Sequence, residues 1–300
     1  NDTAYETAIE FKAKGINTTI LDTRKSSNAG VVQEAKNLGI EIKFNHGIAN
    51  TSGYKKVNSA TIGELNNTKD GYKNLQTLPC DSIFVSGNWT PTVHLASQSG
   101  NKLKYEVETD TFLPHQSRQK ETVIGSANGS FTLKESLADG FKKGFQISDE
   151  ITKNSKELSV PISDEKDFRS HDKFWCMPLP NNKNYKRFVD FQNDVAVSDI
   201  QLAVREGFRS IEHVKRYTTL GMATDQGKTS NLNGLQLVSD LEKKIVPEVG
   251  HTTFRPPYTS VTIGTLIGRE VGKNYQATRK SPMHEWHEKN NAVFVDAGLW

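Results

Sequence analysis

The chain has 300 residues, 35% hydrophobic and 24% charged, with a formal net charge of +3. That balance suits a soluble protein of one to three domains, and near-neutrality without a basic stripe argues against a nucleic-acid partner. No apolar run approaches the roughly 18 residues that a membrane span needs, and no secretory leader opens the sequence. Cys80 and Cys176 lie too far apart in sequence to suggest a disulfide framework, so a cytoplasmic protein with reduced, buried thiols is expected. The sequence begins at Asn1-Asp2 without Met and stops at Gly298-Leu299-Trp300, which reads as a section of a longer polypeptide.

Residues 4 to 14 carry Ala4, Ala8, Ile9 and Phe11 at near-helical spacing, and Gly15 closes that helix. A strand follows at Thr18 to Asp22, a helix at Gln33 to Leu38 and a strand at Ile40 to Phe44. This alternation is that of a nucleotide-binding α/β unit. Such a unit has a glycine-rich turn before its first helix, and here that place holds Asn1-Asp2-Thr3-Ala4-Tyr5, whose side chains would crowd a pyrophosphate. A Rossmann-type half that binds no dinucleotide is therefore expected. Asp22 is a ribose ligand only if the turn is open.

Residues 51 to 78 read as hairpin, with turn signals at Asn66-Asn67 and Asp70-Gly71. Cys80 to Gly87 reads as a buried strand, and His94 opens a short helical run as a capped or surface histidine. Residues 101 to 124 are strand-like, with a basic turn around Arg118. Then Gly125-Ser126-Ala127-Asn128-Gly129 forms a small-residue turn before a helix over 130 to 144, with Leu133, Leu137 and Phe141 on one face. Amide groups at that helix start could receive a phosphate, and the turn is small enough for a ribitol-like chain. A tight turn without ligand is the alternative.

Serine, lysine and acidic residues dominate 148 to 173, as in a linker, and Trp175, Met177, Pro178, Leu179 and Pro180 would pack it down. A three-helix module follows. Ser198 and Asp199 are capping types, Ile200, Val204 and Phe208 recur at helical spacing, and Gly207 stands where a left-handed residue would end the helix. A second run places Ile211, Val214 and Tyr217 on one side. A third runs from Asn231 to Leu241, after the turn Leu220 to Gly227. Beyond Pro247 come an irregular crossing segment, a helical stretch near Val261 to Arg269, a short helix and a strand at Ala292 to Asp296.

The chemistry-bearing motifs are sparse. No Walker loop, H-E-x-x-H pair, C-x-x-C pair or G-x-S-x-G elbow occurs. His284, His287 and Glu288 share a helix face, which suits a packed, solvated helix and, as the lesser alternative, half of a metal site.

Several stretches together resemble one family, in order and over nearly the whole chain. They are NDTAY with LDTR, CDSIFVSGNWTPTVHLASQSG, IGSANGSFTLKESLADG, the run from RFVDFQNDV to ATDQGKTSN, TTFRPPYTSVTIGTLIG and SPMHEWHEKNNAVFVDAGLW. The family is the α subunit of heterotetrameric sarcosine oxidase. The resemblance implies an α/β fold, part of a flavin-reductase-like arrangement of two dinucleotide-binding domains. Residues 1–148 would be its nucleotide-binding, pyridine nucleotide-disulfide oxidoreductase-like region. Residues 149–245 would be a linker and a small helical domain particular to the subunit, and 246–300 a connector and the opening of a folate-binding aminomethyltransferase-like domain. It further implies oxidation of sarcosine to glycine with oxygen as acceptor, yielding hydrogen peroxide and 5,10-methylenetetrahydrofolate. NAD would lie in the α subunit, FAD in the β subunit and covalent FMN at the α/β interface, with β, γ and δ subunits as partners and tetrahydrofolate as acceptor. This section would be non-catalytic, and Ala127, Asn128, Gly129, Leu133 and Glu135 would contribute one wall of the NAD site.

The helical module also resembles a small two-iron two-sulfur domain of bacterioferritin-associated ferredoxins and opine-oxidising relatives. The positions matching that domain's four cysteines are Asp190, Gln192, Asp225 and Ser230. None is a thiolate, so a cluster-free module is expected. Two other readings remain open at this stage: a subunit of a related N-methyl amino acid or opine dehydrogenase, and a ligand-free interaction scaffold.

Overall fold

The computed structural model describes residues 1–153, 156, 158–163, 173–180, 185–257, 259–269, 272 and 278–300. Helix α1, Thr3–Ala13, starts where the Asn1 Oδ1 accepts the Thr3 N–H (2.9 Å) and stops before Gly15, whose φ of 76° ends the helical path. Its inward face carries Tyr5 and Ala8. Strand β1, Thr19–Asp22, pairs in parallel with β2, Glu41–Phe44, through helix α2, Gly30–Asn37. Tyr5, Ala8, Ile20, Val31, Val32, Ala35 and Ile40 make one core from these four elements. The alternation expected from the sequence is thus present as a βαβ unit preceded by a helix.

A three-stranded antiparallel sheet follows: β3 His46–Gly53, β4 Val57–Leu65 and β5 Tyr72–Pro79. The β4–β5 turn closes at Asn66, whose Oδ1 accepts the Asp70 N–H (3.0 Å). The strand expected at 80–87 does not form. A strand needs a neighbour for its backbone groups, and no strand among the described residues pairs with this segment. Phe84 and Val85 are exposed, and Phe84 meets the solvent-side Phe11 of α1 edge-on at 5.1 Å.

Helix α3, His94–Gln98, leads into the hairpin of β6, Lys102–Glu106, and β7, Thr111–Gln116. A 3-10 turn, Gly125–Asn128, and helix α4, Leu133–Thr152, come next. The helix runs two turns beyond the expected end at 144, because Phe145 and Ile151 prolong its apolar stripe and nothing breaks it before Lys153 at φ 54°. The linker expected over 148–173 therefore starts as helix, and its positions 154, 155, 157 and 164–172 lie outside the described residues.

The helical module contains β8 Phe188–Asp190, β9 Val195–Ala196, α5 Val197–Arg205, α6 Ile211–Thr218, α7 Asn231–Glu242 and α8 Val246–Val249. Asp199, not Ser198, caps α5, accepting the Ala196 N–H at its Oδ2 (2.8 Å). Ile200, Ala203, Ile211, Val214, Leu220, Leu235 and Val238 interlock as its core, and Tyr105 and Phe112 of the β6–β7 hairpin pack against it. Each fully buried Ile, Leu or Val contributes about 1.5–3 kcal/mol by leaving water.

Residues Asn1–Tyr258 form one compact unit and Thr259–Trp300 a second. The second contains α9 Ile263–Ile267 and α10 His284–Lys289. The strand expected at 292–296 is absent: no described segment pairs with it, and Val293 and Val295 are exposed.

Candidate functional site

The turn before α4 is built from side chains that reach back to it. Thr132 Oγ1 accepts the Glu135 N–H (3.2 Å), and Glu135 Oε2 accepts the Thr132 N–H (3.3 Å), a reciprocal cap. Asp139, one turn further on, accepts the Ser130 hydroxyl (2.6 Å) and the Gly125 N–H (3.4 Å) at Oδ2. Ser136 donates to the Ser130 carbonyl (2.8 Å). Gly129 holds φ 89°, and a Cβ there would meet Leu113 Cδ2 at 2.8 Å, so this position accepts glycine alone without rearrangement.

The five expected cofactor residues are therefore brought together but not in equal roles. Ala127, Asn128 and Gly129 form the turn surface, and all three are partly exposed. Leu133 is 55% exposed on the first turn of α4. Glu135 serves the helix cap. Glu135 and Asp139 place two carboxylates at a helix start that a phosphate would otherwise favour, which shifts the local chemistry toward hydroxyl-bearing groups. Thr132 and Asp139 were missed from sequence. Thr132 was legible through the T-x-x-E pattern, whereas Asp139 is placed only by the way the turn folds.

Asp22 at the end of β1 is committed elsewhere. Arg24 donates to it through Nε (3.0 Å) and Nη2 (2.7 Å), and Tyr5 Oη donates to Asp22 Oδ2 (2.6 Å). Arg24 Nη2 also pairs with Asp2 Oδ1 at 2.7 Å. Burial alone would raise the Asp22 carboxyl, yet the hydrogen bonds from Arg24 and Tyr5 hold it below the usual range. Burial and the Asp22 charge push the Tyr5 phenol up. The carboxylate that would take a ribose is already satisfied within the protein.

The four positions that match cluster ligands converge on the turn before α7. Asp190 Oδ2 accepts the Gly221 N–H (2.8 Å), and its Oδ1 accepts the Gln192 N–H (2.9 Å). Gln192 Oε1 accepts the Thr224 hydroxyl (3.1 Å) and the Asp225 N–H (3.4 Å). Asp225 Oδ1 accepts the Gly227 N–H (3.0 Å), and Ser230 is buried beside them. Oxygen and amide groups stitch the turn with ordinary hydrogen bonds. Gly227 adopts φ 70°, and a Cβ there would collide with the Asn231 side-chain amide.

His94, expected as a capped or surface histidine, is buried, with its ring 3.8 Å from that of Phe254. Burial, aided by Lys228, lowers its pKa to about 4, against a raising backbone hydrogen bond at Gln226. Cys80 and Cys176 form no disulfide and are half-buried rather than buried. Cys176 Sγ accepts from Arg187 Nη1 (3.1 Å). His284 Nε2 lies 3.5 Å from Glu288 Oε1 on α10. No group of three or more His, Cys, Asp or Glu side chains suited to a metal occurs among the described residues.

These observations define a mixed α/β protein with a turn-helix surface and an attached helical module. The fold is similar to that of L-proline dehydrogenase from P. horikoshii, with a TM-score of 0.50 and 19% identity over 84% of this chain and 49% of that one. At that identity the likeness is one of fold. Residues 184–269, which include the helical module, match the family described as Sarcosine oxidase A3 domain. Over its whole length the chain is 36% identical to sarcosine oxidase subunit alpha of Rhizobium meliloti (strain 1021) and 30% identical to that of Corynebacterium sp. (strain P-1). It spans 29% and 31% of those relatives' lengths. No helix among the described residues is long and apolar enough to cross a membrane.

Proposed function

We propose that this chain is a section of the α subunit of a heterotetrameric sarcosine oxidase, a cytoplasmic oxidoreductase converting sarcosine, tetrahydrofolate and oxygen to glycine, 5,10-methylenetetrahydrofolate and peroxide. The observation that carries the reading is the full-length similarity to sarcosine oxidase α subunits together with the A3 match. In this reading residues 1–148 are the truncated nucleotide-binding region of a flavin-reductase-like fold. Residues 149–245 hold the small cluster-free domain, and 246–300 lead into the folate domain. FAD in the β subunit and FMN shared with it would supply the redox chemistry, and the γ and δ subunits would complete the assembly.

The local role is non-catalytic: one wall of an NAD site, and a docking surface. Ala127, Asn128 and Gly129 present a small, partly exposed turn that a ribose can approach, and Leu133 offers an apolar ledge beside it. The carboxylates of Glu135 and Asp139 favour the ribose hydroxyls over the pyrophosphate at this wall. The helical module braces the assembly, with Asp190, Gln192 and Asp225 holding a turn that a cluster holds in the ferredoxin-like relatives. A dehydrogenase that passes electrons through such a cluster would need thiolates at these positions.

The full-length complex tests this. Asn128→Trp should lower the NAD retained per α subunit at least severalfold while the sarcosine-dependent peroxide rate persists. Unchanged, stoichiometric NAD would remove the assignment of this wall. An iron-sulfur absorbance would favour the dehydrogenase reading, and absence of both NAD and sarcosine turnover would favour a scaffold.

A further inference from the structure

Strand β1 is paired on one edge. Its partner is β2, and no strand among the described residues takes its far edge. A two-stranded parallel ribbon is not stable by itself, because parallel sheets are buried on both faces and contain further strands. Helix α1 shows which edge is incomplete. Tyr5 and Ala8 of α1 share a core with Ile20 of β1 and with Val31 and Ala35 of α2, so both helices cover the same face. Helix α2 is the crossover between β1 and β2. Helix α1 packs beside it and feeds β1, which makes α1 a crossover too. Consecutive right-handed crossovers put their helices on one face and add strands in one direction. The first strand of the α1 crossover therefore belongs directly before α1 and beside β1.

A second segment on the same side lacks a neighbour. Residues 82–86, Ser-Ile-Phe-Val-Ser, have strand composition. Their backbone N–H and C=O groups bond to no other backbone group among the described residues. Phe84 and Val85 are 73% and 89% exposed. The segment nevertheless runs along α1. Ser86 Oγ lies 3.2 Å from Thr3 Oγ1, and Phe84 meets Phe11 edge-on. A helix is about 10 Å wide and paired strands are about 4.8 Å apart, so one helix covers about two strands. With β1 on one flank of α1 and residues 84–86 on the other, that width leaves one strand to be supplied. The chain spans 29% and 31% of the α subunits named above, so most of those relatives' length has no counterpart in residues 1–300.

We propose that β1 and residues 82–86 flank a slot for one strand, supplied by the residues immediately before Asn1 in the full-length subunit. That strand runs parallel to β1 and takes its open edge. Its other edge takes the open backbone groups of 82–86. The sheet then has the order β2, β1, incoming strand, 82–86. About four to six residues fill the slot. They are apolar on both faces, because α1 and α2 cover one face and the half-buried Leu21 points to the other. The inference rests on reading this chain as a section of a longer subunit, and not on the NAD wall.

An experimental structure of the full-length complex tests this directly. The residues just before Asn1 are expected in backbone hydrogen bonds with β1 on one side and with 82–86 on the other. An open slot, or β1 paired directly with 82–86, overturns the proposal. So does a strand in that place from a partner subunit, a second copy or a distant part of the chain. Hydrogen exchange on the same complex gives an independent sign. Amides of 82–86 should exchange as slowly as those of β1, and at least about tenfold more slowly than those of the exposed turn at 54–56. Exchange at 82–86 as fast as at that turn overturns the proposal. Neither readout depends on NAD or on sarcosine turnover. A filled slot in a complex without NAD supports the strand and removes the NAD wall, and an open slot in a complex that retains NAD does the reverse.

Discussion

Helix α4 and the helical module use the same local rules and end in opposite places. Both have amphipathic stripes, caps formed by an acidic N3 residue, and glycine or left-handed stops. The module turns its stripes inward on a shared core in which Ile200, Ala203, Val214, Leu220 and Val238 are fully buried. The twenty residues of α4 include none that is buried, and Leu133, Ile147 and Ile151 face solvent. Local pattern thus makes the helix in both regions, and only the module also supplies the surface that the helix packs against. In our reading the module is a self-supporting brace and α4 a face held ready for ligand and partners.

The sharpest way to break that contrast is to truncate one apolar side chain in each region alike. Ile200→Ala should cost about 2–4 kcal/mol and loosen the whole module, because a fully buried branched side chain leaves a cavity. Ile151→Ala on α4, 77% exposed, should change stability by less than about 0.5 kcal/mol. Chemical denaturation of the two variants side by side checks this, and equal losses would erase the distinction.

Acid sharpens it next, since His94 is buried against Phe254 beside the module, whereas α4 has no buried residue. The folded pKa of about 4 stands below the ordinary 6.5, so the folded state binds fewer protons than the unfolded one. The stability that depends on neutral His94 is complete above pH 6.5 and declines as pH falls toward 4, by an upper bound of about 3 kcal/mol. His94→Phe should flatten that decline in a denaturation series from pH 7 to 4. An identical slope in both proteins would show that His94 is not the group responsible.

A smaller loss is expected at the cap. Thr132→Ala should remove about 1 kcal/mol from α4, seen as faster amide exchange in its first two turns, with the module untouched. Equal exchange in wild type and variant would mean that the helix is held by something other than its cap.

The contrast also explains what the sequence made legible. Helices α1, α2, α5, α6 and α7, the βαβ pairing and the stops at Gly15 and Gly207 follow from spacing and backbone preference within a few residues. The segments at 80–87 and 292–296 have strand composition and form no strand, because pairing depends on a neighbour that composition does not reveal. His94 was misplaced for a similar reason: its burial is produced by Phe254, 160 positions later. At the candidate site the small turn and the Thr132–Glu135 cap were readable, whereas the reach of Asp139 back to the turn and the commitment of Asp22 to Arg24 depend on geometry.

The central claim is that the turn before α4 receives NAD while the module only supports it. Hydrogen exchange on the full-length complex, with and without bound NAD, tests this most directly. The account predicts added protection at residues 125–135 in the NAD-bound complex and no change across 197–249. Protection confined to the module, or none at 125–135 with NAD shown to be bound, would contradict it.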